Sequence, residues 1–412
     1  MTDVSILDVY LYDEPIATIT RLPGDRTVFA FNDEYVQNEN RPTLGLAFKD
    51  TTGDLLTDFR TYQTRLMPFF SNLLPENDLR RYLAERAQVN PKREFFLLWV
   101  LGADLPGALT VKPADGDEWP TDSEDDVSEE QEEEQRKNAL RFSLAGVQLK
   151  FSAAENASGG LTVPAQGIGG SWVVKFPSPK YEGVPENEYA MMRLAQKLGM
   201  DVPRTELIEL NEIENIPAEF AELSGKALAI ERFDRDAEGH AVHIEDFAQV
   251  FWLYPDRKYE RASFMNIAAV IATEGNEEDA REFIRRLVFN TLIGNADMHT
   301  KNWSLIYPDR RNPHLSPAYD FVSTIAYIKD DYAALTVNRS KRFDEFSQKE
   351  LSGLADRSLL PKALVLDEAG EIIEKFHNSW QWAKQKLPIS EKVAKAIESH
   401  LKNIPMIQEI TH

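Results

Sequence analysis

The 412-residue chain contains no cysteine, which excludes disulfides and thiolate zinc sites. No apolar run approaches the length of a membrane helix. The first residues, MTDVSILDVY, lack the basic-then-apolar layout of a secretory signal. A cytoplasmic protein without membrane contact is the simplest expectation. Positive charge is also scarce: 46 Lys and Arg face 68 Asp and Glu, a net charge of −22. Twelve of the negative charges lie between Asp115 and Glu134, where no Lys or Arg occurs. Without that run the chain is still acidic, at about −10. Such a surface does not suit unaided nucleic-acid binding, which needs a basic footprint. It suits a basic protein partner.

The hydrophobic share of 42% is that of a globular protein, and the length asks for two or three domains. Short β-like runs at Val4 to Tyr12, Ile16 to Leu22 and Thr27 to Asn32 are separated by Asp13-Glu14-Pro15 and Pro23-Gly24-Asp25, which are turn material. Helical sequence follows from about Leu66 to Val100, includes FFSNLLPE (Phe69 to Glu76), and is broken by Gly102 and Gly107. The acidic run has too few apolar residues to order itself and reads as a loop or linker; a charged helix from Glu129 is the other reading. Arg141 to Phe151 reads as strand–turn–strand, and Ser171 to Phe176 and Ala227 to Phe233 as strands. In Glu186 to Leu198, Met191, Leu194, Ala195 and Leu198 share a helical face, with Gly199 as the stop. From Glu245 the pattern turns helical. Ile284, Leu287, Val288, Thr291 and Leu292 line one helix that ends at Gly294, and Trp303 to Tyr307 with Leu315 to Phe321 suggest a short hairpin. Near the C-terminus Ile373, Phe376, Trp380, Ala383 and Leu387 share a face, and Ser390 is placed to N-cap a last helix. These shifts divide the chain into an α+β subdomain at 1–112, an acidic segment at 113–138, a strand-rich core at 139–235 and a mainly helical lobe at 236–412.

The chemistry concentrates in NADMHTKN (Asn295 to Asn302) and AYDF (Ala318 to Phe321). Asp297 precedes Asn302 by five residues, and Asp320 follows Asp297 by 23. That is the spacing of a kinase catalytic loop with a later metal-binding Asp. Asp297 could orient a hydroxyl or take its proton. Asn302 and Asp320 offer oxygens suited to Mg²⁺ on the phosphates of ATP. His299, Lys301 and Tyr319 stand beside them, although a polar loop rich in turn formers would also look like this. Phosphoryl transfer further needs a phosphate cradle and a cation. Ser143 to Lys150, SLAGVQLK, could be the cradle, with Gly146 admitting the phosphates to backbone N–H groups. Taken alone, it is also an ordinary hairpin. Lys175 in WVVKFP is flanked by apolar residues and needs an anionic partner if it faces inward; Glu188 on the next helix could be one. Glu231, Arg232 and Phe233 end a strand before the helical lobe, where a two-lobed kinase binds adenine, or simply end a strand. A phosphate on Ser143 would bring about −1.5 to −2 charges into the cradle and oppose ATP.

In this order, SLAGVQLK, WVVKFP, NEYAMMRLAQKLGMDVP, ERFDR, LIGNADMHTKN and SPAYDF resemble the HipA family of bacterial toxin kinases, and FFSNLLPE and GADLPGALTV (Gly102 to Val111) resemble its N-terminal module. The resemblance runs from about residue 4 to 330. It implies a two-lobed, protein-kinase-like α+β fold with an all-α C-terminal lobe. It also implies a serine/threonine protein kinase dependent on ATP and Mg²⁺, the toxin of a toxin–antitoxin pair. The implied partner is a dimeric, HipB-like helix-turn-helix antitoxin through which DNA is met. The implied substrates are aminoacyl-tRNA synthetases, notably the glutamyl enzyme, and family members are linked to persistence. By motif, the resemblance makes Asp297 catalytic, Asn302 and Asp320 metal-binding and Glu188 the ion-pair support. It gives Ala145, Gly146, Val147, Gln148, Leu149, Lys175, Glu231, Arg232, Phe233, His299, Lys301, Asn302, Tyr319 and Asp320 to ATP, and Ser143 to self-inactivating autophosphorylation. Arg339, Lys341 and Arg342 in NRSKR are a candidate DNA contact, or a solvated turn. The acidic run has no counterpart in the resemblance. A small-molecule kinase of the aminoglycoside or choline type, and an inactive kinase fold serving as corepressor, are the competing functions.

Overall fold

The structure, a computed structural model, describes residues 6–114, 150–155, 161–162, 170–178, 180–216, 223–329 and 332–411. The acidic run, Ser143 and the cradle residues Ala145, Gly146, Val147, Gln148 and Leu149 lie outside them.

The N-terminal sheet comprises β1 (Ile6–Leu11), β2 (Glu14–Leu22), β3 (Arg26–Phe31), β4 (Tyr62–Gln63) and β5 (Leu109–Pro113), in the order β4-β3-β2-β1-β5. In β1 alternate residues Leu7, Val9 and Leu11 are fully buried, as a one-sided sheet requires. The first turn is Tyr12-Asp13, both left-handed at φ 54° and 63°, which suits the twist of a two-residue hairpin. It therefore sits one residue ahead of the expected Asp13-Glu14-Pro15. The helical sequence expected from about Leu66 to Val100 forms three helices, Pro68–Ser71, Asn77–Arg86 and Glu94–Leu101. Pro75 and Pro91 lie in the gaps, where proline restricts the preceding residue and cannot continue a helix. The buried rings of Phe69, Phe70 and Phe48 fill the space under the sheet, each contributing about 1.5–3 kcal/mol of apolar burial.

A second antiparallel sheet holds β6 (Lys150–Glu155), β7 (Leu161–Thr162), β8 (Trp172–Lys175), β9 (Thr205–Glu209) and β10 (Lys226–Glu231), in the order β7-β6-β8-β10-β9. The helix Val184–Lys197 lies across β9 and β10, burying Met191, Leu194 and Ala195. Val174, Trp172 and Ala229 join the core of the N-terminal sheet, so the two sheets share one continuous apolar cluster.

The C-terminal lobe is built on the helix Glu277–Ile293, whose Ile284, Leu287, Val288 and Leu292 are buried. Asn276 and Asp279 close a capping box at its start. The helix Lys362–Lys386 packs along it, and its buried Glu368 accepts from Arg281 at 2.6 Å and Arg285 at 2.9 Å. Ser390 caps the helix Glu391–Leu401 by accepting from Val393 N–H. The lobe, expected to be all-α, also carries a small sheet of β11 (His243–Asp246), β12 (Ser304–Tyr307) and β13 (His314–Leu315). Pairing with a partner some 60 residues away, a four-residue strand such as HIED gives little periodicity of its own. None of the helices among the described residues is long and apolar enough to cross a membrane.

Candidate functional site

The helix Glu277–Ile293 stops because Gly294 turns left-handed at φ 64°, and a Cβ there would sit 2.4 Å from Ile325 Cδ1. Asn295 then fixes the loop. Its Nδ2 donates to Asn290 Oδ1 at 2.9 Å and to the Asp320 carbonyl at 3.1 Å, and its Oδ1 accepts from Asp297 N–H at 3.1 Å. One buried amide thus ties the two acidic positions together across 23 residues of chain. Asn302 Nδ2 donates to the Asp297 carbonyl at 2.9 Å, which leaves its amide oxygen as the group offered to a ligand. Asp320 is not on a strand, as expected from AYDF, but in an irregular stretch with φ 58°. An aspartate tolerates that conformation better than most side chains.

Lys175 ends β8 and is 6% exposed. Its Nζ donates to Glu188 Oε1 at 2.5 Å and to Asp320 Oδ1. Burial works against its charge, but the two carboxylates, Asp320 foremost, outweigh burial and hold its pKa above the ordinary lysine value. The strand lysine, the helix glutamate and the later aspartate therefore form one cluster.

These groups face a cleft of about 300 Å³ between the sheets and the helical lobe, lined also by Val173, Ile230, Phe233, Tyr319 and Val322. Phe233 and Tyr319 stack at 5.6 Å between centroids, and the Tyr319 hydroxyl donates to the Lys301 carbonyl at 2.9 Å. Glu231 is exposed at the edge of the cleft. Arg232 lines it too, but its guanidinium is spent elsewhere: Nε and Nη2 donate to Asp234 at 2.9 and 2.8 Å, and Nη1 to Asp104 at 3.1 Å. Its side chain is 2% exposed. Gly107 meets the same cluster by donating its N–H to Asp234 Oδ2 at 2.8 Å. At φ 77°, with a Cβ falling 2.8 Å from Ile244 N, that position requires glycine.

Asp297 opens onto the cleft but is hemmed in by protein. This enclosure pushes its carboxyl above the usual aspartate value, while the Tyr259 hydroxyl, which donates to Asp297 Oδ1, and the Lys258 ammonium pull it down. His299 is buried and its ring meets Tyr259 edge-on at 4.9 Å. Burial and the nearby Lys258 charge lower its pKa to about 3, so it is neutral at physiological pH. Lys301 points to the N-terminal subdomain: Nζ donates to the Asn72 carbonyl at 2.7 Å and lies 3.5 Å from both Glu76 and Asp246. Lys258 Nζ pairs with Glu76 Oε2 at 2.9 Å. Asn72, Glu76, Asp104, Lys258 and Tyr259 are thus site neighbours that sequence reasoning missed. Asn72 and Glu76 belong to FFSNLLPE, whose buried polar residues among five apolar ones were the available signal. Lys258 and Tyr259 carried none.

In the basic patch, Arg342 is paired with Asp344, Lys341 Nζ donates to the Ala334 carbonyl at 2.8 Å, and Arg339 is exposed. Glu350 Oε2 accepts from the N–H groups of Asn338 at 3.2 Å and Arg339 at 3.0 Å. Of the three cations, Arg342 is thus ion-paired within the lobe.

Residues 7–112 match the HipA N-terminal domain and residues 142–380 the HipA-like C-terminal domain. A Sinorhizobium fredii protein named "Putative kinase Y4dM" is 55% identical over 412 residues, 99% of each chain. The serine/threonine-protein kinase toxin HipA of Shewanella oneidensis is 29% identical over 344 residues, 75% of each chain. A HipA from the same species, solved with HipB and operator DNA, has a TM-score of 0.73 at 23% identity, covering 98% of this chain and 99% of that one. At that identity the likeness is one of fold, and it extends over both sheets and the helical lobe. With both domains matched in order and a relative of more than half identity spanning the whole length, the chain belongs to the HipA family.

Proposed function

We propose that the protein is an ATP- and Mg²⁺-dependent serine/threonine protein kinase, and that it acts as the toxin of a HipA–HipB type pair. The observation that carries this reading is the meeting of Lys175, Glu188, Asp297, Asn302 and Asp320 at one cleft, with Asn295 bridging the two aspartate segments. The donor set fits the cofactor. The Asn302 amide oxygen and the Asp320 carboxylate are hard oxygen ligands of the kind Mg²⁺ takes. Lys175, held by Glu188, is a buried cation of the kind that meets phosphate oxygens. The apolar wall of Val173, Ile230 and Val322, beside the backbone of Glu231 to Phe233, suits a purine. When bound, Mg-ATP supplies the transferable phosphoryl group and the metal charge that screens it. The chain's own work is to position and to hold a proton. Asp297 orients the acceptor hydroxyl and receives its proton, and the Tyr259 hydroxyl and Asn302 amide keep that residue in place. Arg232 contributes its backbone to the nucleotide side and its guanidinium to the domain junction.

The partner that fits is a HipB-like helix-turn-helix dimer, favoured by the acidic charge of this chain and by the assembly of the Shewanella relative. DNA is then reached through that partner, and the internally paired Arg342 favours no direct contact of its own. The substrate we infer is an aminoacyl-tRNA synthetase, and Ser143 is the candidate self-inactivating phosphosite. The test is induction in growing cells. The parent is expected to arrest growth and to carry phosphate on a synthetase and on Ser143, while Asp297→Gln does neither. Equal toxicity of Asp297→Gln would overturn the enzymatic reading.

A further inference from the structure

Phosphoryl transfer needs positive charge on the phosphate that moves as well as on the one left behind. Of the cations at the cleft, Lys175 already sits between two carboxylates, Glu188 and Asp320. Lys301 is committed to the Asn72 carbonyl at 2.7 Å and lies between Glu76 and Asp246. Arg232 is engaged with Asp104 and Asp234. His299 is buried, with its ring edge-on to Tyr259 at 4.9 Å. Lys258 remains. It lines the cleft, and its ammonium is paired with one carboxylate, Glu76, which it shares with Lys301.

The chain around Lys258 is built onto the catalytic-type loop at two points. The Lys258 carbonyl accepts from Thr300 N–H at 3.3 Å and from Thr300 Oγ1 at 3.0 Å. The next residue, Tyr259, donates its hydroxyl to Asp297. A lysine so fixed precedes the tyrosine that holds Asp297 and lines the same cleft as that aspartate. Its counter-ion comes from the N-terminal subdomain, 182 residues away in sequence. The second oxygen of that carboxylate, Glu76 Oε1, is buried without a hydrogen-bond partner. It lies 3.5 Å from Lys301 Nζ, so one buried carboxylate stands between the two lysines of the cleft.

We propose that Lys258 is a further catalytic residue that contacts the γ-phosphate of ATP, and that Glu76 of the N-terminal subdomain is the positioning residue that aims it. The subdomain is then a working part of the site as well as its neighbour in the core. This rests on the kinase reading above.

The experiment compares binding of Mg-ATP and Mg-ADP to the full chain by calorimetry, with thermal melting as control. ADP lacks the phosphate that Lys258 would touch. The parent is expected to prefer ATP, and Lys258→Met to lose roughly ten- to hundredfold in ATP affinity with ADP affinity unchanged, the worth of one charge-assisted hydrogen bond. Lys258→Arg should restore most of the preference. Glu76→Gln keeps the shape but not the charge; it should lower the melting temperature, because a buried pair is broken, and should also reduce ATP affinity several-fold with ADP affinity unchanged. If Lys258→Met does not fold, Glu76→Gln and Lys258→Arg carry the comparison. Equal losses for ATP and ADP, or none, would overturn the role of Lys258. A Glu76→Gln protein that only melts earlier would reduce the pair to a structural tie. A parent that binds neither nucleotide would remove the kinase reading itself, and this proposal with it.

Discussion

Replacing Arg232 by methionine separates the junction of the two sheets from the chemistry of the cleft. The substitution removes a guanidinium that makes three short contacts, at 2.9 and 2.8 Å to Asp234 and 3.1 Å to Asp104. It leaves both carboxylates buried, Asp104 at 3% exposure and Asp234 at 5%. Breaking a buried pair from one side costs about 3–5 kcal/mol. Arg235 stays within 3.2 Å of Asp234 and 3.6 Å of Asp104, and Gly107 N–H still donates to Asp234, so the lower end, about 3 kcal/mol, is expected. That corresponds to a fall of roughly 1 M in the urea midpoint. Tryptophan fluorescence is a suitable probe of unfolding, because Trp252 of the C-terminal lobe packs on the N-terminal core, edge-on to Phe48 at 5.4 Å. The acid side adds a sign. Burial opposes the charge of Asp234, yet Arg232 overrides it and holds the carboxyl at about 2. Its stabilisation is therefore complete above about pH 4 and is lost as the pH falls towards 2. In the variant this loss should begin at higher pH. A midpoint within about 0.2 M of the parent, or a loss of ATP affinity at unchanged stability, would refute the reasoning, the latter by returning the guanidinium to the ligand.

Glu245 is buried, accepts from Leu46 N–H at 2.8 Å and from the Tyr307 hydroxyl, and burial raises its carboxyl to about 7. The folded state then binds a proton that the unfolded chain releases, so stability should fall between about pH 4.5 and 7 and level off above. Glu245→Gln should remove that fall and be more stable than the parent at pH 8 by roughly 3 kcal/mol, with little difference at pH 4, as urea titrations at the two pH values would reveal. Tyr259→Phe removes a hydrogen bond that lowers the Asp297 pKa, so the acid limb of the phosphorylation rate should move to higher pH. An unmoved limb would separate Tyr259 from Asp297 function.

Much of the fold was legible because its signals are local. The helical phase of Met191, Leu194, Ala195 and Leu198 made Glu188 a candidate partner for Lys175 if that lysine faced inward, and the structure pairs the two. The spacing of Asp297, Asn302 and Asp320 was equally readable, although the Asn295 bridge that draws them together was not. What escaped was non-local. The direction of the Arg232 guanidinium depends on Asp104, 128 residues earlier, and the strand HIED depends on β12. Lys258 acquires meaning only against Glu76. The helical sequence expected from Leu66 to Val100 is helical, and its division into three helices follows Pro75 and Pro91. The left-handed turn at Asp320 had no flanking glycine to announce it.

The account turns on two aspartates acting at one cleft. Transfer of the γ-phosphoryl group from ATP in the presence of Mg²⁺, followed by mass spectrometry of the purified chain with and without an added synthetase, measures this directly in the parent, Asp297→Asn and Asp320→Asn. The expected result is phosphorylation by the parent and a loss of about 10²–10⁴-fold in Asp297→Asn. Asp320→Asn should lose comparably, and the double variant little more than either alone. Full-rate transfer by Asp297→Asn, or losses that simply multiply in the double variant, would contradict it.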